Sequence, residues 1–75
     1  MNPHYSMIIE WSDRDNAFIV TLPEWEKQAG LIGHTHGNTY AEALKMGEEL
    51  LELLIEGQIA DGLPLPQPRT FAAIR

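Results

Sequence analysis

His34 and His36 are one residue apart, so in an extended strand both imidazoles project to the same side, a spacing that could chelate zinc or nickel. A third ligand would have to come from His4 or from a glutamate, and none stands at a firm spacing. The pair are therefore weak metal candidates. The plainer account is two histidines on a polar sheet face or at an oligomer contact, where protonation near pH ~6.5 would make assembly pH-dependent. Carboxylates invite a second question. Two-metal nuclease chemistry needs several acids converging from different strands and a helix, and Glu10, Glu48 and Glu49 are the available set. The segment 69–75 contains no acid, and the helix acids lie opposite an apolar stripe, so a solvated helix face is the preferred reading. Asp13 and Asp15 resemble the start of a calcium loop, but the remaining ligands and the closing glutamate do not follow. A hydrated hairpin turn explains them. There is no cysteine nucleophile and no glycine-rich phosphate loop, and Ser6 and Ser12 have no evident histidine partner. No catalytic residue and no cofactor is expected; the expected chemistry is binding. Trp11 and Trp25 are the residues suited to it, since tryptophan is enriched at interface hot spots. For both, partner binding stands beside the alternative of covering the small core, which is the preferred reading for Trp11; Trp25 lies in an expected loop, where core packing is harder to arrange.

Those residues must be positioned by a small chain. Its 75 residues suffice for one domain, 1–75, with one modest core. Domains of this size usually lean on disulfides, a metal or a second subunit. The absence of cysteine removes the first and fits a reducing compartment, so an oligomer is expected. No apolar run approaches the roughly 20 residues of a membrane span, and the first residues lack a basic-then-apolar leader pattern; the expected location is the cytoplasm. Eleven acidic against five basic residues give a formal charge of −6. That sign repels phosphate backbones and favours a basic partner, although acidity also serves solubility alone.

Alternation over residues 5–11 places Tyr5, Met7, Ile9 and Trp11 on one face of a first strand. The polar run 12–16 has the length and composition of a hairpin loop. A second strand, 17–22, puts Phe18, Val20 and Leu22 on one face and ends at Pro23. Residues 24–30 read as a loop, with a short turn at most, and 31–36 as a weaker third strand. The helix is the clearest element. Thr39 and Glu42 form a capping box, and Tyr40, Ala43, Leu44, Gly47, Leu50, Leu51 and Leu54 make an apolar stripe. Glu42, Lys45, Glu48, Glu49, Glu52 and Glu56 occupy the other side. Gly47 on the stripe implies close approach of helix to sheet, and Gly57 is the expected stop. Glu52 and Glu56 sit where the helix dipole prefers cations, which points to an acidic face, Glu48, Glu49, Glu52 and Glu56, kept for a partner. Spaced prolines Pro64, Pro66 and Pro68 favour an extended path, and 70–74 would add a last strand. The expected class is α+β in the order β-β-β-α-β.

Three stretches together carry a resemblance. Residues 5–11, then Ser12-Asp13-x-Asp15, then Phe18-Ile19-Val20-Thr21-Leu22-Pro23-Glu24 resemble the opening of the HicB-like antitoxin family. Gly37-Asn38-Thr39-Tyr40-x-Glu42-Ala43-Leu44 is similar to its helix-start motif, with Asn38 where aspartate is usual. Asp61-Gly62-x-Pro64-x-Pro66-x-Pro68 is similar to its ending. The segment 25–36 departs from the family's proline-glycine approach to the third strand. The resemblance implies a partly degraded ribonuclease-H-like fold: three antiparallel strands, one helix packed on them, and a fourth strand beside the first. It implies a protein that binds and occludes a small basic HicA-like toxin, one that cleaves messenger RNA, and that assembles as dimers or tetramers. Many members carry a C-terminal DNA-binding segment; the 75 residues hold no counterpart, so no direct nucleic-acid binding is expected of this chain alone. The alternative function is an orphan, self-associating interaction module without a toxin partner.

Overall fold

The computed structural model describes residues 4–28 and 34–71. The protein is α+β: one antiparallel three-stranded sheet with a long helix on one face, in the order β-β-α-β-α. Strands β1 (Ile8–Ser12) and β2 (Ala17–Thr21) form the expected hairpin, although β1 begins at Ile8 and not at Tyr5, and β3 (His34–Gly37) pairs with the far side of β2, giving the order β1-β2-β3. The four loop residues between the strands are closed by side chains. Ser12 Oγ accepts from the Asp15 N–H at 3.2 Å and donates to Asp15 Oδ2 at 3.0 Å, while Asn16 takes a left-handed φ of 52°, which asparagine tolerates better than most residues.

Register fixes the two faces of the sheet. Ile9 opposes Val20 and Trp11 opposes Phe18 across the hairpin; Val20 and Phe18 oppose Thr35 and Gly37 in β3. These residues face helix α2 (Tyr40–Ala60). The alternate set, with Glu10 opposite Ile19 and Ile19 opposite His36, lies on the other face. Gly37 and Gly47 set the distance between sheet and helix. A Cβ on Gly37 would fall 2.4 Å from the Ala43 backbone nitrogen, and one on Gly47 would fall 2.7 Å from Met7 Sδ and 3.0 Å from Val20 Cγ1. The close approach expected at Gly47 is present, with a tighter one at Gly37.

The first turn of α2 is capped as expected. Thr39 Oγ1 accepts from the Glu42 N–H, and the Glu42 carboxylate reaches back to the Asn38 N–H at 2.8 Å. The other end differs from the expectation. The helix runs through Gly57 to Ala60, 21 residues in all. It stops in a Schellman cap, in which Gly62 (φ 68°) donates to Ile59 O and Leu63 donates to Gln58 O. Gly57 marked no boundary because a glycine stops a helix only where it takes the left-handed conformation. Asp61 and Gly62, which open the family-like ending, form that cap.

Two further corrections concern elements. Residues Pro23–Gln28 form a short helix, α1, instead of a loop. Leu22 O accepts from Trp25 N and Glu26 N, proline in the first turn has no N–H to waste, and Glu24 and Glu26 suit the positive end. Six residues would not hold a helix alone; burial of the Trp25 side chain against Leu22, Leu51 and Ile55 anchors this one. The expected last strand, 70–74, is not present at Thr70 and Phe71, and its remainder lies outside the described residues, as does the start of the expected third strand at 31–33.

The buried apolar residues are Ala17, Val20, Leu22, Trp25, Ala43, Leu51 and Ile55; Leu22, Trp25, Leu51 and Ile55 form one cluster, with Tyr5, Met7, Leu50 and Leu54 partly buried against it. On α2 the buried line is Ala43, Gly47, Leu51 and Ile55. Tyr40 and Leu44, expected on the buried stripe, are 67% and 47% exposed. Tyr40 rests on Phe18 with one side only, and neither residue is on the buried line Ala43, Gly47, Leu51 and Ile55.

The proline-spaced tail is extended and docks on α1 and the start of β1. Tyr5 Oη donates to Pro66 O at 2.7 Å. The Gln28 side-chain amide pairs both backbone groups of Gln67, donating to its carbonyl and accepting its N–H, each at 2.7 Å. Gln28 thus acts as a one-residue strand partner.

Candidate functional site

The candidate residues divide among three places. Glu48, Glu49, Glu52 and Glu56 are all exposed along α2, as expected of a face open to a partner. Trp25 is not on any surface. Its ring has no exposure and meets the Tyr5 ring edge-on at 5.4 Å between centroids, so its part is to anchor α1, and the partner-binding expectation for Trp25 is corrected to a core one. Its indole N–H has no acceptor among the described residues.

His34 and His36 are exposed on the sheet face turned away from α2. His34 Nε2 stands 3.1 Å from Glu26 Oε2, an ion pair when the imidazole is protonated, and this contact ties the edge of β3 to α1. Among the described residues no group of three histidine or carboxylate side chains is placed to share a metal ion. Glu10 lies on that same open face, whereas Glu48 and Glu49 lie on the outer side of the helix covering the opposite face. The three carboxylates considered for a two-metal site are held apart by the thickness of the molecule. Asp13 and Asp15 serve the hairpin: Asp13 Oδ1 accepts the Trp11 indole N–H at 2.7 Å, and Asp15 is bonded to Ser12.

Two features were missed. The first is Glu24, a carboxylate with 1% exposure. Its oxygens accept the Ser6 N–H at 3.0 and 3.1 Å and the Arg69 N–H at 2.9 Å. Burial by itself would push its pKa up; the N–H groups of Arg69, Ser6 and Glu24 itself outweigh that and hold it below the usual carboxylate range. The Tyr5 phenol beside it is pushed up, by burial and then by the Glu24 charge, which keeps it a donor to Pro66. Only the Pro-Glu start of α1 hinted at Glu24, and a loop reading hid it.

The second is a row of aromatic rings at the hairpin end of the helix-covered face. Trp11 packs edge-on against Phe18 at 5.1 Å, and Phe18 lies under Tyr40 at 4.3 Å. Gly37 makes this row possible, because the position beside Phe18 is empty and the first turn of α2 drops into it. Trp11 remains 50% exposed and Tyr40 67%. Leu44, one turn along from Tyr40, continues the apolar surface, and Glu48 is the next residue of the same i, i+4 ridge.

Compared with models of known families, with curated proteins and with solved structures, the chain matches none. No helix among the described residues is long and apolar enough to cross a membrane.

Proposed function

We propose that this chain is a HicB-like antitoxin, or a stand-alone relative of one, that acts by binding and covering a small basic toxin of the messenger-RNA-cleaving HicA type. The observation that carries the reading is the exposed α2 face: Glu48, Glu49, Glu52 and Glu56 all project to solvent from a helix whose only cation is Lys45. Such a row attracts a basic surface and speeds its encounter, while burial of apolar contacts lengthens residence. The three family-like stretches occur at the hairpin, the capped start of α2 and the tail, the elements that build the fold. The fold order of strand, strand, strand and long helix is compatible with the sheet and helix that the resemblance implies, with α1 inserted.

The test is reconstitution. A HicA-like protein is sought among the genes adjacent to this one, and a neighbourhood with no such gene favours the orphan reading. The protein is purified, its cleavage of a messenger RNA is measured, and this chain is added in increasing molar ratio. Cleavage that stops near stoichiometric ratio supports occlusion. Undiminished cleavage at excess, with the chain self-associated in sedimentation, assigns it to the orphan interaction modules instead.

A further inference from the structure

We infer that the toxin-facing contact is centred on the aromatic row Trp11, Phe18 and Tyr40 with Leu44, and that the α2 carboxylates form its charged flank; this assignment rests on the antitoxin reading above. Its occupant is a basic protein surface with an apolar socket.

Exposure is the first reason. Trp11, Tyr40 and Leu44 are 50%, 67% and 47% accessible, and they adjoin one another through Phe18 and the first turns of α2. Apolar side chains exposed singly need no explanation, but aromatic rings exposed together, with polar residues around them, mark interaction sites. The rings are also held before any partner arrives. Asp13 fixes the Trp11 indole by a 2.7 Å hydrogen bond, Phe18 supports both neighbours, and the Thr39–Glu42 cap fixes the turn that carries Tyr40. Rigid aromatic anchors lose little entropy on binding.

Charge selects the occupant. Tyr40, Leu44, Glu48, Glu52 and Glu56 follow one i, i+4 ridge of α2, all exposed. At about 6 Å of rise per four residues, the ridge begins apolar and continues as a row of anions roughly 6 Å apart along the axis. Asp13 closes the other side of the row of rings. A second copy of this chain would bring the same anions, with Lys45 as the only cation its α2 could offer, so self-pairing over this ridge places carboxylates without counter-charges. A partner with an apolar centre and lysine or arginine beside it satisfies both halves of the ridge.

The experiment uses the full chain and the HicA-like protein sought in the test above, carrying an inactivating substitution, titrated with the association followed by isothermal calorimetry. Tyr40→Ala and Leu44→Glu are compared with Leu53→Glu, which alters a more accessible leucine (66% exposed) farther along α2. Circular dichroism checks that each variant keeps its helix. The expected result is at least a tenfold loss of affinity for Tyr40→Ala and for Leu44→Glu, and less than a twofold change for Leu53→Glu. Wild-type binding that neither Tyr40→Ala nor Leu44→Glu weakens overturns this surface and leaves the antitoxin reading intact. Equal losses in all three variants overturn it too, since the effect would not be local. Conversion of an oligomer to a monomer by Leu44→Glu with unchanged toxin affinity gives the surface to a second copy. Absence of wild-type binding removes the antitoxin reading and this assignment with it.

Discussion

Glu24 keeps its charge inside the protein because backbone N–H groups from two remote segments point at it. Its folded pKa is lowered, so ionisation adds stability that is present above the unfolded value of about 4.3 and is lost as pH falls through the folded value below it. Urea unfolding between pH 6 and 3 should therefore show wild type losing stability faster below about pH 4.3 than Glu24→Gln, which starts about 1–3 kcal/mol lower because one acceptor becomes an unwanted donor. Parallel pH curves for the two proteins would remove the carboxylate from this role. The tryptophans make a second contrast at the same scale. Trp11 is half exposed and Trp25 has no exposure. Iodide should quench about half of the wild-type fluorescence, and Trp11→Phe should leave a blue-shifted emission that iodide hardly touches. Ready quenching of that variant would contradict the buried position of Trp25. Single residues of this kind are where sequence reading is weakest. The Pro-Glu-Trp run shows no period, and nothing local distinguishes a tryptophan that anchors a one-turn helix from one waiting on a loop.

Elements were more legible, and unevenly so. The hairpin could be read because alternation over Tyr5, Met7, Ile9 and Trp11 matches that of Phe18, Val20 and Leu22, and a polar loop between them leaves one register that keeps both sets on the same face. The start of α2 was legible because its cap is made of adjacent residues. Its end was not, since what stops a helix is a φ value, and composition marks both Gly57 and Gly62 as candidates. Periodicity also gives a stripe without saying how far the sheet beneath it extends, which is why Tyr40 and Leu44 were expected to be covered. The two glycines offer a direct check. Gly57 is exposed, with open space where a Cβ would stand, so Gly57→Ala should stabilise by about 0.5–1 kcal/mol through helix propensity. Gly62→Ala should destabilise by about 1 kcal/mol, because its φ of 68° suits no Cβ. Thermal melts of the pair moving in the same direction would show that the cap is placed wrongly.

At the scale of the molecule, charge and shape act together. A formal charge of −6 on 75 residues produces a field that any basic partner meets before contact. Raising salt from 0.1 to 1 M shortens the Debye length from about 10 to about 3 Å. Association with the proposed basic partner should then slow by about tenfold in stopped-flow mixing, with dissociation little changed, because long-range charge governs encounter more than residence. A salt-insensitive association rate would mean that the carboxylate row takes no part in steering.

The docked tail has a consequence for how the chain is made. Glu24 and the Arg69 N–H that it accepts are 45 residues apart in sequence, and Tyr5 is 61 residues from its acceptor Pro66. Translation at about 5–20 residues per second separates the first pair by roughly 2–9 s. During that interval the chain lacks first Leu51 and Ile55, which anchor α1 through Trp25, and then the segment that completes Glu24's bonding. Until synthesis reaches Arg69 the Glu24 carboxylate has the Ser6 N–H but not its second remote donor, and a pause by the ribosome before residue 66 would prolong the stage at which the docked tail is missing.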